Sequence, residues 1–461
     1  MKEAIFFIMI NIVMKSVFDM IYDIFEHVKR IPLEVLNKFD SVYLNQRINS
    51  DSNEIISYMT NNFIGIILNS LNICIISTIL LKISYKISVM LFFMIPVYLS
   101  IYFLFKNLLY KYNKKLKEVQ NKYMSVLNSQ ITNVKLIKMN SCFEFFSNSM
   151  KKAFKEYFKL NFKTSFHNIN FNFIGLITSS ISTILLCLMG FFEIKKGNLS
   201  VGKFIAINNF FPMLVNSIEY FFQLGSSYQK ANASYQRIIE ILQIDKEKNG
   251  LEKLDIIDNI RCENVSFSYN GCKNVIDKFT YEFKKGNIYC ILGGNGKGKT
   301  TLINILTGLY QSFDGQVLYN DTNINSIDMY DLRHNKVSVS EQEPMLIQDS
   351  IENNITYDNK NIENKMIEHY INKFDLNKFN LDYEINSGNN ISGGEKQKIS
   401  LIKCFSKKSN LIILDEPSSA LDSKSIEILK SELCELKKEN IIIIITHNYS
   451  FEDICNYKIC L

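Results

Sequence analysis

The chain has 461 residues, 47% of them hydrophobic, with a formal charge of +6 and ten cysteines. That length points to more than one domain, and a mean hydropathy near zero conceals an apolar first half and a mixed second half. No basic run with interleaved aromatics supports nucleic-acid binding, and no C-x-x-C spacing supports a metal site. The scattered single cysteines fit a reduced compartment, as buried core residues.

The stretch from Ala4 to Met14 is apolar, but its eleven residues cover only about 16 Å as a helix, too little to cross the hydrocarbon. Lys15 and Asp19 then interrupt it, and no small-residue cleavage site follows to mark a signal peptide. Residues 61–81 and 89–110, then 171–192 and 204–224, are each long enough to cross about 30 Å of hydrocarbon. Asn and Ser interrupt the first and the last. Glu219, in the last, reads either as a contact for substrate or partner or as an acid snorkelling to the interface. Residues 111–163 carry many lysines with only Glu118, Glu144 and Glu156 to offset them. The positive-inside rule places this segment in the cytoplasm, where it could also touch anionic lipid, and places 82–88 and 193–202 outside. The second half, from about residue 250, then falls in the cytoplasm as well.

In that half, Ile288-Tyr289-Cys290-Ile291-Leu292 reads as a buried parallel strand, and Thr301-Leu302-Ile303-Asn304-Ile305-Leu306 has helical spacing. Between them, Gly293-Gly294-Asn295-Gly296-Lys297-Gly298-Lys299-Thr300 fills every fixed position of G-x-x-x-x-G-K-[ST]. Such glycines let backbone N–H groups close around phosphate oxygens, and the helix N-terminus adds partial positive charge. Lys299 is expected to reach the β- and γ-phosphates and the Thr300 hydroxyl to hold Mg²⁺, so this half is expected to bind a nucleoside triphosphate. Leu411-Ile412-Ile413-Leu414-Asp415-Glu416 is an apolar strand ending in two carboxylates. Asp415 is placed to support Mg²⁺ and Glu416 to polarise an attacking water. Ahead of it, Ile391-Ser392-Gly393-Gly394-Glu395-Lys396-Gln397-Lys398 is a glycine turn opening a charged helix, and Thr446-His447 follows an apolar strand from Ile441 to Ile445.

Together these segments resemble the ATP-binding cassette (ABC) family, across essentially the whole chain. The family signature L-S-G-G-Q reads I-S-G-G-E here. Ile391 and Glu395 are the departures, while Ser392, Gly393 and Gly394 supply the phosphate contacts. The resemblance implies further roles. Tyr269, in Val265-Ser266-Phe267-Ser268-Tyr269, would stack on adenine, and Thr301 and Glu395 join the nucleotide-binding set. Gln342 would reach Mg²⁺ and the water from a lid, and His447 would contact the γ-phosphate. Ser419-Ala420-Leu421-Asp422 would communicate between two cassettes. Asn386 stands where exporters often carry a Glu.

In the first half, Phe25-Glu26-His27-Val28-Lys29-Arg30-Ile31-Pro32-Leu33, followed by Leu44 to Asp51, resembles the first intracellular loop of exporter half-transporters. Asn133-Val134-Lys135-Leu136-Ile137-Lys138 resembles the second. Both loops are expected to end in coupling helices on the cassettes, and a helix from Tyr235 to Leu242 to link the last span to its cassette. Exporter halves have six spans, with the first loop between the second and third. Ala4 to Met14 therefore resembles the tail of a second span, and the N-terminus is expected to be truncated.

The expected fold is multidomain: an all-α transmembrane helical domain over 1–245, followed by an α/β P-loop NTPase domain over 246–461. The resemblance implies ATP and Mg²⁺ as cofactors, Glu416, His447 and Gln342 in hydrolysis, and Thr300, Gln342 and Asp415 at the metal. It implies a second half-transporter as partner, identical or not, because each Ser392-Gly393-Gly394 turn would face the other cassette's γ-phosphate. The chain would be multi-pass in the cytoplasmic membrane, touching lipid and no nucleic acid. It would export a peptide, a lipid or an amphipathic drug. The alternative is a membrane-anchored ATPase subunit that regulates or complements a partner without transporting by itself.

Overall fold

The computed structural model describes residues 2–269, 271, 273–294, 296–386, 391–447 and 449–461; Asn295 of the glycine loop lies outside the described residues. Two compact units emerge, one of Met1–Ile31 and Leu36–Asp245, the other of Pro32–Val35 and Lys246–Leu461.

The first half of the chain is helical throughout: α1 (Lys2–Val28), α2 (Leu33–Leu36), α3 (Ser41–Ile83), α4 (Tyr85–Thr132), α5 (Val134–Asn140), α6 (Phe143–Lys195) and α7 (Val201–Leu242). Each of the four apolar stretches lies inside a much longer helix. The 53 residues of α6 make a rod of about 80 Å. Asp40 caps α3 by accepting from the Tyr43 N–H, and Ser200 caps α7 by accepting from the Lys203 N–H. Pro96 and Pro212 stand inside α4 and α7, where each removes one helical hydrogen bond.

Among the described residues, two helical segments have the length and apolar content of a membrane span, Tyr43–Ile83 and Phe143–Lys195. The α7 segment does not reach that mark, because Asn208, Asn209, Asn216, Glu219 and Gln223 dilute its apolar character. Phe171, Leu186, Phe211, Leu214, Val215 and Phe222 form the core of this unit with Ile76 and Leu80 of α3 and Leu109 of α4. The Phe171 and Phe222 rings stack at 4.0 Å. Beyond this apolar core lies a buried ion pair that sequence reading does not anticipate. Arg237 Nε of α7 is 3.2 Å from Asp51 Oδ2 of α3, with both side chains shielded almost completely. Ser234 donates to the same carboxylate, and Arg47 donates to the Arg237 carbonyl oxygen and to Glu240.

The second unit holds two sheets and the helices that cover them. Strands β1 (Asn259–Phe267) and β2 (Ile276–Lys284) are followed by β3 (Ile288–Leu292) and α8 (Lys299–Leu306). Then come β4 (Asp314–Tyr319), β5 (Thr322–Asn323), α9 (Met329–Asn335), β6 (Val337–Ser340), α10 (Ile351–Thr356) and α11 (Asn364–Lys373). The chain ends with α12 (Gly393–Ser406), β7 (Leu411–Asp415), α13 (Ser423–Leu436), β8 (Ile441–Ile445) and β9 (Tyr457–Cys460). The antiparallel sheet has the order β2-β1-β4-β5, and the parallel sheet β6-β7-β8-β3-β9.

Strands β7 and β8 are apolar at nearly every position because the sheet is buried on both faces. Ile441, Ile443 and Ile445 enter the cluster shared with β1, β4 and α8, while Ile442 and Ile444 enter the one shared with α11, α12 and α13. Leu33 of the Pro32–Val35 segment packs against the first cluster, and the Ser312 hydroxyl donates to Glu34. Cys290 of β3 and Cys455 lie side by side, with Cα atoms 6.0 Å apart, because the terminal chain returns beside β3. One expectation is corrected: Cys74, Cys187 and Cys460 are exposed rather than core.

Candidate nucleotide site

The glycine loop leaves the C-terminal end of β3 and enters α8, the strand–loop–helix order that aims backbone N–H groups at an anion. Gly296 and Gly298 have φ of +79° and +90°, a region where a side chain is strained. A Cβ on Gly298 would also lie 3.0 Å from the Val275 carbonyl oxygen. Lys299 is buried, and its ammonium donates to the carbonyl oxygens of Gly293 at 2.7 Å and Gly294 at 3.2 Å. Lys297 is exposed. Thr301, the third residue of α8, shares a 2.8 Å hydroxyl hydrogen bond with Tyr269. That bond sets the half-exposed Tyr269 ring beside the loop, edge-on to Phe267 and Tyr310.

Strand β7 delivers the carboxylates. Thr300 Oγ1 donates to Asp415 Oδ2 at 3.3 Å. Burial raises the Asp415 carboxyl above its ordinary range, the Thr300 hydrogen bond opposes this, and the neighbouring Glu416 adds to it. Glu416 is equally buried, with its N–H held by the Ile445 carbonyl oxygen at 2.8 Å and its backbone at φ +48°. Its two carboxylate oxygens are engaged separately: Gln342 Nε2 donates to Oε2 at 2.9 Å, and His447 Nδ1 lies 2.9 Å from Oε1. Residues spaced 74 and 31 positions from Glu416 thus converge on one side chain. A cavity of about 840 Å³ opens beside them, with Thr300, Gln342, Asp415, Asn304, Lys403 and Lys407 in its walls.

The signature turn is built by helix capping. Ser392 Oγ accepts from the Glu395 N–H, and Glu395 Oε2 accepts from the Ser392 N–H at 2.7 Å, a reciprocal capping box. Lys378 pairs with the other Glu395 oxygen. Burial opposes ionisation of Glu395, yet the Lys378 and Ser392 contacts hold its pKa below the usual range. The acid at this position therefore has a local purpose that the sequence pattern alone does not reveal. Ile391 is buried in the helical cluster. Space around a Cβ at Gly393 is open, whereas one at Gly394 would meet the Ala420 carbonyl oxygen at 2.7 Å. That contact joins the signature turn to the Ser419–Asp422 loop, and Lys398 reinforces it with a 3.4 Å pair to Asp422. Asn386 is exposed and stands just before Ser387 to Asn390, which lie outside the described residues.

Comparison with known proteins bears on the whole chain. The family model for the ABC transporter transmembrane region matches residues 4–218, and the one described as ABC transporter matches 276–419. The chain belongs to the ABC transporter family. It is a half-transporter that binds ATP and couples its hydrolysis to export across a membrane, in a family whose members typically work as dimers. It is 23% identical to the ATP-dependent lipid A-core flippase of Mannheimia succiniciproducens, over 95% of this chain and 76% of that one. It is 24% identical to the lactococcin-G-processing and transport ATP-binding protein LagD of Lactococcus lactis, over 95% of this chain and 63% of that one. A bacterial Atm1-family ABC exporter with ATP bound shares its fold, with a TM-score of 0.90 and 15% identity over 98% of this chain and 81% of that one.

Proposed function

We propose that the chain exports an amphipathic substrate (a peptide, a lipid or a drug-like compound) across the cytoplasmic membrane as a dimer of half-transporters. Residues 1–245 form the multi-pass membrane domain and 246–461 the cytoplasmic ATPase. The observation that carries this reading is the convergence of Gln342 and His447 on the Glu416 carboxylate, at 2.9 Å each, beside the phosphate loop. In this assignment the backbone of Gly293 to Gly298, with Asn295 and Lys297, wraps the phosphates. Lys299 leaves its loop carbonyls to reach the γ-phosphate, and Tyr269 stacks on the base. Glu416 orients and polarises the attacking water, Gln342 and His447 hold Glu416 and the γ-phosphate in register, and hydrolysis proceeds by in-line attack.

The Thr300 hydroxyl and Asp415 carboxylate, 3.3 Å apart, with Gln342 nearby, form an oxygen set that suits Mg²⁺. When bound, Mg²⁺ neutralises charge on the β- and γ-phosphate oxygens. Ser392, Gly393 and Gly394, at the N-terminus of α12, would meet the γ-phosphate held by a second cassette, with Glu395 fixing the turn. ATP then joins the two cassettes, and its hydrolysis releases them.

The test is ATPase activity of the full chain in sealed proteoliposomes. Stimulation by a transported amphipath is expected. Activity indifferent to peptides, lipids and drug-like amphipaths alike would favour a membrane-anchored ATPase subunit that serves a partner.

A further inference from the structure

Helices α6 and α7 differ in how polar their unpacked faces are. Over its apolar stretch, α6 leaves Phe173, Ile177, Ile181, Ile184, Leu188 and Phe191 exposed, the surface that lipid tails accept. Helix α7 packs Ile207, Phe211, Leu214, Ile218 and Phe222 inward. Its outward positions include Asn209, Asn216 and Gln223, all exposed, with Glu219 half-buried and Asn208 exposed at the flank, interspersed with the exposed apolar Ile205, Pro212 and Met213. Asn209, Asn216, Glu219 and Gln223 fall within about 80° of one another at 100° per residue and so share one face, which Ile205 and Pro212 also enter. Amides and a carboxylate at hydrocarbon depth are costly against lipid and stand instead against water or a polar ligand. Residues 204–224 contain no Lys or Arg to neutralise Glu219.

Resting on the exporter reading above, we propose that this face is the wall of an aqueous substrate path. It fits a compound with a cationic, hydrogen-bonding head: an amine that pairs with Glu219 while the amides of Asn209, Asn216 and Gln223 bind its polar groups. An anionic head group would face an uncompensated carboxylate on this wall.

The experiment uses the full chain in inverted membrane vesicles, with Cys74, Cys142, Cys187, Cys272, Cys434 and Cys460 replaced by serine. Single cysteines are placed by Asn209→Cys, Asn216→Cys and Gln223→Cys on α7, and by Ile181→Cys and Leu188→Cys on α6. The α7 thiols should react with a charged, impermeant maleimide at least about tenfold faster than those on α6, because only they meet water. Octylamine should slow labelling of Asn216→Cys, octyl phosphate and octanol should not, and Glu219→Gln should remove the octylamine effect. Labelling of α7 no faster than of α6, as in a dry interface with a second copy, would overturn the proposal. Equal protection by octyl phosphate or octanol would also overturn it, as would octylamine protection that survives Glu219→Gln. Labelling is read without ATP turnover. A chain that hydrolyses no ATP would therefore sink the exporter reading while the labelling still decides this one.

Discussion

Glu416 occupies the left-handed backbone region at φ +48°, a conformation that costs a non-glycine residue on the order of 1 kcal/mol or more. The surrounding bonds to Ile445, Gln342 and His447 hold it there, aimed between the strand end and the phosphate loop. Replacing it with Gln keeps the shape and removes the proposed base. Turnover in Glu416→Gln should fall by about 100-fold or more, while ATP stays bound, as measured by filter retention of labelled nucleotide beside phosphate release. Lys299→Ala should instead weaken retention itself, because it removes the proposed phosphate contact. At Gly394 the constraint is steric: Gly394→Ala drives a methyl to 2.7 Å from the Ala420 carbonyl oxygen. Rigid backbone on both sides leaves little relief, so the unfolding free energy should drop by about 1–3 kcal/mol, read from the thermal midpoint of the full chain. Gly393→Ala, with open space around its Cβ, should leave that midpoint close to wild type.

Much of this residue-level site is legible in the sequence, because phosphate binding needs glycines, a lysine and a hydroxyl at fixed spacing. The partnership of Glu395 with Lys378 and the hydroxyl bond between Tyr269 and Thr301 are not legible. They depend on where separate elements meet.

At the level of elements, α3 and α7 are fastened by more than apolar contact. The Asp51–Arg237 pair sits at 0% and 1% side-chain exposure. Removing one partner strands a buried charge. Asp51→Ala should therefore destabilise the chain by about 3–5 kcal/mol, seen as a lower thermal midpoint in detergent. The double change Asp51→Leu with Arg237→Met should recover most of the loss, since an apolar pair of similar volume avoids the stranded charge. A double variant as unstable as Asp51→Ala would show that the pair is needed for more than charge balance.

Sequence reading misses this pair because each residue lies in a polar stretch rich in Ser, Asn and Gln that looks like a solvated helix. The apolar runs over 61–81 and 171–192 announce α3 and α6 plainly. Their polar extensions, to Ser41 in one and Phe143 in the other, carry no comparable signal, since the surface of a polar helix resembles loop in composition. The approach of Cys290 to Cys455 is hidden for a related reason: strand order in the parallel sheet, with β9 beside β3, is not written in the spacing of the cysteines.

On the scale of the whole molecule, an apolar helical unit and an α/β ATPase unit share one chain, and both family matches follow that division. The identity of the cargo is the least legible property, since relatives at similar identity are named for different substrates and the membrane helices offer amides and one acid rather than a charged motif. The central claim, that ATP hydrolysis at Glu416 drives export, is tested most directly by uptake into inverted vesicles. Labelled octylamine, an amphipathic peptide and a fluorescent phospholipid are compared with wild-type chain and with Glu416→Gln. Accumulation of at least one probe, dependent on MgATP and lost in Glu416→Gln, is the expected result. Equal accumulation by both chains, or none by wild type that hydrolyses ATP freely, would contradict the account.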